Sequence, residues 1–349
     1  MDDAAEHVVE RFAQEVLRLR AEYEFSTFWL GTRIPGPVSQ AEAIAFRRNL
    51  NQRVGLRVLE LAPNLTPTPE NPEARITLHY VTAQVTVAVR PLLVYGRYRK
   101  LSRAIPQSKW PCRRCRGAGC NSCGGTGKRF LRTVEELVAA PILSVSGAVG
   151  TKLHCTGRED VDARMLGSGR PFVLELADPR VRSFDLNPIQ ERINRELGDE
   201  VAVEQLQFAD QALLRTVNSI NPDKSYRAVV ECLAPAGRNA IERLAGLRDV
   251  TLRQETPRRV LHRRANRVRF RVVRDCSVEL PPGSGSLARF SLSLRVQSGT
   301  YIKEFISGDQ GRTTPSVAEL LGVPCACAEL DVLEVHCDPL CGEVTGSAE

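Results

Sequence analysis

The sequence predicts an α+β protein, because helical and strand spacings of hydrophobic residues both occur along it. Within residues 4–22, Val8, Phe12 and Val16 recur at the four-residue spacing of an amphipathic helix. Within residues 76–89, hydrophobic residues recur at every second position, as they do in strands with one buried face. A chain of 349 residues buries a sizeable core, and its length suggests two or three domains.

Local signals define the other elements of the first part of the chain. Residues 25–30 have the composition of a short strand that ends at Gly31, and Ser39 is placed to cap a second helix. Residues 65–72 carry three prolines and therefore predict a connector. Together with the helix before them and the strands after them, these signals predict a small α/β unit.

Similar signals continue in the rest of the chain. Thr133 and Glu136 have the spacing of a capping box, so a helix should begin between them. Another helix should begin at Asn187, which precedes a proline, and should run to Leu197. Residues 201–208 are predicted to form a strand.

The net charge of +7 is concentrated in two basic blocks. Residues 96–132 contain eleven Lys or Arg and no acid, and residues 251–275 contain nine Arg against two acids. In the second block Arg267, Arg269 and Arg271 alternate with hydrophobic residues, so one face of a strand is basic and the other apolar. Such blocks indicate polyanion binding, and arginine suits bidentate contact with phosphate.

The chain shows no feature of a membrane or secreted protein. No apolar run reaches the length of a membrane span, and the acidic N-terminus is unlike a signal peptide. We therefore expect a cytoplasmic protein with no membrane partner. The cysteine count of eleven is odd, and in a reducing compartment the four clustered cysteines indicate a metal site.

The clustered cysteines occur in two adjacent C-x-x-C-x-G-x-G repeats, within residues 112–127. Each C-x-x-C pair places two thiolates on one tight turn, and the glycines let the backbone wrap around an ion. Two such turns supply the four ligands of a tetrahedral zinc site, which are Cys112, Cys115, Cys120 and Cys123. Because four cysteines leave no open coordination position, the predicted zinc ion is structural.

A charged stretch in the middle of the chain is the candidate catalytic centre. Asp160 and Asp162 lie between Arg158 and Arg164, and Gly157 permits a tight turn in front of them. A carboxylate beside guanidinium groups stays ionised, as a carboxylate nucleophile must. The alternative interpretation is a solvated charged turn.

This stretch, from Gly157 to Gly167, resembles the active-site signature of the archaeal-type tRNA pseudouridine synthases that carry a THUMP-like domain and act on uridines 54 and 55. The resemblance extends from about residue 95 to about residue 322 and includes several motifs in order. It implies that Asp160 is the nucleophile, with Asp162 as its rival. The order Arg-Glu-Asp is similar to the Arg-Thr-Asp of another branch of these enzymes, which favours Asp160.

Two further motifs carry the resemblance. K-x-Y-x-A at residues 224–228 implies that Tyr226 stacks on the target uracil, although on its own it also fits a core tyrosine. G-T-Y-I-K at residues 299–303 implies that Lys303 holds Asp160 ionised. Whether the carboxylate attacks the ring or assists cleavage at the sugar stays open. The candidate substrate-binding residues are Tyr226, Tyr301, Arg158, Arg164, Arg258, Arg259, Arg263, Arg264, Arg97, Arg99 and Lys100.

The resemblance also implies the architecture. We expect a THUMP-like RNA-binding α/β domain in residues 1–105, a zinc knuckle in 106–132, and a catalytic domain in 133–349 with the pseudouridine synthase fold, a mixed antiparallel sheet with flanking helices. It implies tRNA as the partner, no organic cofactor and no obligatory protein partner. Family members commonly carry a further cysteine pair near the N-terminus, whereas no cysteine precedes Cys112 here.

Two other classes of protein share some of these features. A non-catalytic, zinc-containing RNA-binding or chaperone-like protein would explain the cysteine repeats, which also occur in the large J-domain co-chaperones. That interpretation gives Asp160 no role, and the sequence lacks the His-Pro-Asp of a J-domain. A THUMP-bearing tRNA methyltransferase should show a glycine-rich loop after a strand, and no convincing loop of that kind occurs.

Overall fold

The computed structural model describes residues 3–34, 39–283 and 285–340 and confirms the predicted α+β class. The helices are α1 (Asp3–Glu22), α2 (Gln40–Leu61), α3 (Val134–Ser146), α4 (Asn187–Leu197), α5 (Gln211–Ser219), α6 (Arg238–Glu242), α7 (Ile302–Ser307) and α8 (Val317–Leu321). The strands are β1 (Thr27–Arg33), β2 (Thr66–Pro67), β3 (Ala74–His79), β4 (Gln84–Val89), β5 (Leu92–Lys100), β6 (Gly150–Cys155), β7 (Ala163–Ala177), β8 (Val201–Ala209), β9 (Lys224–Gly237), β10 (Val250–Glu255), β11 (Val268–Glu279), β12 (Ser286–Val296), β13 (Thr313–Thr314) and β14 (Cys325–Val335).

The chain folds as two compact units. The first unit comprises Met1–Val94, Ala139–Lys152 and Leu174–Ile189. The second comprises Tyr95–Val138, Leu153–Val173 and Gln190–Glu349. It therefore contains the cysteine repeats and the three motifs at residues 157–167, 224–228 and 299–303. None of the described helices combines the length and the apolar character that crossing a membrane requires.

The first unit contains a four-stranded sheet in the order β2-β1-β3-β4, together with α1 and α2. β1 runs parallel to β2 and β3, and β3 runs antiparallel to β4. Ser39 caps α2 as predicted, because its Oγ accepts a hydrogen bond from the backbone N–H of Glu42. The predicted connector contributes the short edge strand β2, where a proline is tolerated because one side needs no ladder hydrogen bond.

The large sheet has ten strands in the order β13-β10-β11-β12-β9-β14-β7-β5-β8, with β6 paired to β7. The pairs from β10 through β11, β12 and β9 to β14 are antiparallel, whereas β14 and β7 are parallel. The predicted mixed sheet is thus present. Its core in the second unit is formed by hydrophobic residues of the central strands and of α7 and α8, including Val230, Leu292, Leu294, Phe305 and Val317.

In strand β11 the apolar residues that alternate with arginines are not all buried. Val268 is 47% exposed and Phe270 is 63% exposed, while the hydrophobic core takes Val273 and Cys276 from the same strand. The first half of β11 therefore extends past the core, and its apolar side chains face solvent among the arginines.

Candidate active site

Asp160 lies in the loop that joins β6 to β7. Gly157 has φ +79°, which confirms the tight turn expected in front of Asp160. A Cβ at this position would approach Lys224 Nζ to 3.1 Å and Arg170 Nη1 to 3.2 Å, so the loop packs closely on its neighbours. The turn closes where the N–H of Ala163 donates to the carbonyl of Asp160 at 3.1 Å.

Two cations face the Asp160 carboxylate. Arg259 Nη1 lies 3.0 Å from Oδ2 and 3.2 Å from Oδ1, and Lys303 Nζ lies 3.7 Å from Oδ2. Lys303 donates more closely to Asp162, at 2.7 and 2.8 Å. Lys303 therefore spans both carboxylates, and Arg259 is the nearer cation of Asp160. Arg259 is itself fixed by Glu304, whose buried carboxylate accepts from Nε at 2.7 Å.

The two aspartates differ in their surroundings. The side chain of Asp162 is 67% exposed against 36% for Asp160. Partial burial opposes ionisation of Asp162, but the hydrogen bonds from Lys303 prevail and lower its pKa. Asp160 lines the cleft described below, whereas Asp162 does not.

A buried polar network lies beneath the Asp160 loop. The side chains of Glu159 and Arg170 are each 1% exposed and form an ion pair at 2.9 Å. Arg170 also donates to the carbonyl of Thr156 at 2.6 Å, and Tyr98 Oη donates to the Glu159 carboxylate at 2.9 Å. Gln107 Nε2 donates to Tyr98 Oη at 2.7 Å and to the carbonyl of Gly157. The loop is thus anchored from below at three successive points.

A cleft of about 560 Å³ opens above this network. The residues that line it include Asp160, Tyr226 and five apolar side chains. Tyr226 is half-buried, and burial, reinforced by the charges of Glu159 and Asp160, raises its pKa to about 12. The apolar residues are Ala163, Val260, Ile302, Leu330 and Val332. This arrangement can accept a flat ring beside a carboxylate.

Lys224 is a cleft residue to which the sequence interpretation gave no role. It lies two residues before Tyr226 on β9, so both side chains share one face of the strand. Lys224 is buried, and its Nζ lies 3.1 Å from Ser298 Oγ. Burial, together with repulsion from Arg170, lowers the pKa of Lys224 to about 8. The period-two spacing of K-x-Y was the signal that could have identified it.

The structure brings five of the predicted substrate-binding residues to the cleft in addition to Tyr226. They are Arg158, Arg259, Arg263, Arg264 and Tyr301. Arg264 Nη1 donates to Tyr301 Oη at 3.0 Å. The arginines that the second basic block contributes to the cleft therefore lie between β10 and β11, in the short helical turn Arg258–Val260 and in the turn that follows it.

Five other predicted substrate-binding residues do not line the cleft, although one of them, Lys100, donates to the backbone carbonyl of Asp160 at 3.4 Å. Arg97 is buried and donates to the carbonyls of residues 168, 169 and 337, and Lys100 is fully buried and donates to those of residues 105 and 161. Arg99 pairs with Glu204, and Arg164 pairs with Asp331. Exposed Arg258 is not part of the cleft lining. The positions of Arg97 and Lys100 favour a role in holding the fold over direct contact with RNA.

The four clustered cysteines are also brought together. Their sulfur atoms all lie within 4.8 Å of one another, and Cys123 Sγ lies 3.7 Å from Cys120 Sγ and 3.8 Å from Cys115 Sγ. A tetrahedral ion with metal–sulfur bonds of about 2.3 Å requires sulfur separations of about 3.8 Å. The donor set and its spacing therefore fit a metal ion.

The backbone around the cysteines supports the same conclusion. The N–H groups of Gly119 and Gly127 point at Cys115 Sγ and Cys123 Sγ, at 3.2 and 3.3 Å. A Cβ on Gly127 would lie 2.2 Å from a carbonyl oxygen, so only glycine fits there. Such N–H groups stabilise thiolates, the form in which cysteine binds metal.

Comparison with known proteins identifies the family. The family model described as "Pus10, C-terminal" matches residues 93–336. The chain belongs to the Pus10 family. A relative from Methanothrix thermoacetophila, named tRNA pseudouridine synthase Pus10, is 41% identical over 327 residues, which cover 89% of this chain and 70% of that protein. A relative of the same name from Archaeoglobus fulgidus is 39% identical over 334 residues, covering 94% of this chain and 92% of that protein.

A solved structure also shows some likeness. The crystal structure of a Cbf5–Nop10–Gar1 complex is 18% identical to this chain, with a TM-score of 0.37, over 69% of this chain and 49% of that one. The family assignment rests on the family model and the relatives. The Pus10 match includes Asp160, Tyr226 and Lys303, the cleft around them and the cysteine cluster.

Proposed function

We propose that this chain is a tRNA pseudouridine synthase that isomerises uridine 54, uridine 55 or both in the T-arm of tRNA, with Asp160 as the nucleophile. One observation carries the proposal. Asp160 lies beside two cations and lines the same cleft as Tyr226 and five apolar side chains. Membership of the Pus10 family, whose curated relatives are named tRNA pseudouridine synthases, supports the substrate class.

The proposed reaction is an isomerisation, so it consumes no oxidant, reductant or group donor. The bond between uracil N1 and ribose C1′ breaks, a bond between C5 and C1′ forms, the proton leaves C5, and N1 gains a proton. No electron is gained or lost in the balance. Asp160 supplies the carboxylate that makes the transient bond to the nucleotide, and Arg259 and Lys303 pair with that carboxylate and orient it.

The cleft matches the substrate this reaction requires. A target uridine must leave the stacked arm before a side chain can reach it. Tyr226 offers an aromatic face to the uracil, and its raised pKa keeps the phenol protonated, so that it can act as a hydrogen-bond donor. The exposed arginines Arg158, Arg263 and Arg264 offer contacts to the flanking phosphates.

We propose the following roles for the three predicted domains. Zinc fits the four cysteine thiolates, which are Cys112, Cys115, Cys120 and Cys123, and it would stabilise the fold of the knuckle in residues 106–132. Residues 133–349 are proposed as the catalytic domain. Residues 1–105 are proposed as a THUMP-like module that contacts tRNA elsewhere.

The test compares two neighbouring aspartates. Asp160→Asn should lower the rate of pseudouridine formation on an unmodified tRNA transcript by on the order of 10³-fold or more. Asp162→Asn is the matched control, because it removes the more exposed carboxylate held by the same lysine, and should retain most of the activity. Both variants should still bind the transcript.

The outcomes separate the candidate functions. If the Asp160→Asn variant were active and the Asp162→Asn variant inactive, Asp162 would be the nucleophile. A wild-type chain that binds tRNA but converts no uridine would support the alternative, a non-catalytic zinc-containing RNA-binding protein. Pseudouridine is mapped at single-nucleotide resolution in the same reactions, which also decides between positions 54 and 55.

A further inference from the structure

Trp110 has the largest aromatic ring system among the residues that line the cleft, and the proposed chemistry does not use it. It lines the cleft that also contains Asp160, and its side chain is partly exposed. The sequence contains only one other tryptophan, Trp29, in β1 of the first unit. An aromatic ring exposed at the rim of a binding cleft is available for contact with a ligand.

Trp110 is surrounded by cationic side chains. The guanidinium carbons of Arg129, Arg158 and Arg263 lie 5.1, 5.8 and 5.9 Å from the centre of its ring. All three arginines are exposed, and within the described part of the chain none of them pairs with a carboxylate. An aromatic plane among unpaired arginines is a combination that proteins use to hold an unstacked base and its phosphates.

The cysteine knuckle fixes this ring in place. The N–H of Arg129 donates to the carbonyl of Trp110 at 2.9 Å, and the next residue, Pro111, pairs with Lys128 in an antiparallel bridge. Phe130 packs against the indole with ring centres 5.4 Å apart and planes at 84°. The two segments that leave the knuckle therefore position the indole and Arg129 together, before any RNA binds.

Arg158 connects the ring to the reacting group. It is two residues before Asp160 and contacts the Trp110 ring, so the aromatic face lies next to the position of the flipped uridine. Extraction of a uridine leaves its neighbour in the strand without a stacking partner. The Trp110 ring, whose centre lies 5.8 Å from the guanidinium carbon of Arg158, offers an aromatic surface that can replace that partner.

We propose that Trp110 is a stacking site for a second nucleobase, the one adjacent to the target uridine in the bound RNA strand. Trp110, Arg129, Arg158 and Arg263 together form this base-stacking subsite. Any of the four bases fits, because each has an aromatic face, and the arginines contact the phosphates that flank it. This inference rests on the proposed function, since it takes the bound polymer to be RNA with its target uridine in the Asp160 cleft.

Tryptophan fluorescence tests the subsite directly. In a Trp29→Phe, Asp160→Asn chain, Trp110 is the single tryptophan and the RNA is not converted. Titration with an unmodified tRNA transcript should quench the Trp110 emission until the binding site is saturated. The midpoint of this curve should equal the midpoint of a binding curve measured from the fluorescence anisotropy of labelled RNA. A transcript with an abasic nucleotide on one side of the target uridine should still bind but should lose the quenching.

Substitutions give an independent measure. Trp110→Leu keeps an apolar side chain but removes the aromatic face, and should weaken binding of the transcript by about 5- to 150-fold. Trp110→Phe retains a stacking face and should stay within about three-fold of the parent. Metal content and circular dichroism show that both variants are folded.

Three results would overturn the inference. RNA that binds without any change in Trp110 emission, or that quenches equally with an abasic nucleotide on either side, excludes stacking and leaves the proposed function intact. Equal affinities of the Leu and Phe variants exclude it as well. A chain that shows no anisotropy change with tRNA refutes the proposed function, and the subsite with it.

Discussion

The buried pair of Glu159 and Arg170 offers the most informative perturbation of the catalytic loop. Arg170→Met removes the donors to the Glu159 carboxylate and to the Thr156 carbonyl while nearly preserving the side-chain volume. Both charged side chains are 1% exposed, so the variant leaves a carboxylate buried without its cation. Breaking a buried pair in this way costs about 3–5 kcal/mol.

The structure sets the expected size of the effect. Tyr98 still donates to both oxygens of Glu159, which favours the lower end of that range. A loss of 3–5 kcal/mol should lower the melting temperature of a unit of this size by about 6–20 °C. Because Asp160 follows Glu159 directly, a loop displaced by about 1 Å should also lower kcat by about 10²-fold, with a smaller change in KM for the RNA.

The assay measures thermal unfolding and single-turnover rates of four proteins. They are the wild type, Arg170→Met, the double variant Glu159→Gln/Arg170→Met, and the exposed-pair control Arg192→Met. The control should change stability by less than about 0.5 kcal/mol, because its pair with Glu196 lies at the surface. The double variant should regain part of the loss, since no unpaired charge remains buried.

The result that would refute this reasoning is specific. If Arg170→Met melted at the wild-type temperature with an unchanged kcat, the pair would neither stabilise the loop nor position Asp160. If the double variant were less stable than Arg170→Met, the unpaired carboxylate would not be the source of the loss.

Three further predictions concern the cleft and the metal site. Burial lowers the pKa of Lys224 to about 8 in the folded state, against about 10.4 in the unfolded state. Between these two pH values the unfolded state binds more protons than the folded state. The free energy of unfolding should therefore rise with pH through that range. Urea denaturation at pH 7.5, 8.5 and 9.5 should show a steeper rise for the wild type than for Lys224→Met, and parallel curves would contradict the assignment. Glu304→Gln weakens the anchor of Arg259 and should lower kcat by about 10- to 100-fold with little effect on RNA affinity, as single-turnover rates and binding titrations will show. An unchanged kcat would mean that Arg259 needs no anchor. Cys112→Ser should lower the zinc content from about one ion per chain, whereas the buried Cys276→Ser should not, and equal metal content in the two variants would place the ion elsewhere.

Features set by short-range spacing were predictable from the sequence. The two C-x-x-C turns predicted four converging thiolates, and Gly157 predicted the turn before Asp160, because both depend on residues a few positions apart. The capping box at Thr133 likewise marks the start of α3, where Thr133 Oγ1 accepts from the N–H of Glu136. The resemblance of K-x-Y-x-A to a known motif implied a role for Tyr226, and the structure places Tyr226 in the same cleft as Asp160.

Features set by long-range packing were not predictable. Arg97 and Lys100 follow aromatic residues in a basic segment and have the composition of an RNA-binding surface, but β5 buries both among backbone carbonyls. Arg259 lies close to Asp160, 99 positions away in sequence, and no local pattern distinguishes it from the other arginines of its block. The partners of Glu159 come from segments of the chain that only the folded sheet brings together.

The charges around Asp160 resolve a conflict inherent in the proposed reaction. In the proposed reaction an ionised carboxylate operates inside a cleft that binds a polyanion, and like charges about 4–6 Å apart repel by about 0.7–1 kcal/mol even in water-like surroundings. Arg259 and Lys303 offset the charges of Asp160 and Asp162, but Arg259 also pairs with Glu304, so these five side chains together keep one net negative charge. The exposed arginines Arg158, Arg263 and Arg264, which line the same cleft, supply the positive charge that outweighs it.

The buried layer beneath adds rigidity without adding charge. Glu159 and Arg170 cancel each other, and their hydrogen bonds hold the backbone of the loop that bears Asp160. Had the supporting carboxylate been exposed, it would have added to the repulsion of RNA; had the supporting arginine been exposed, it would have competed with Arg259 for Asp160. The residues that support the loop carrying Asp160 are therefore different from the cations that pair with its carboxylate.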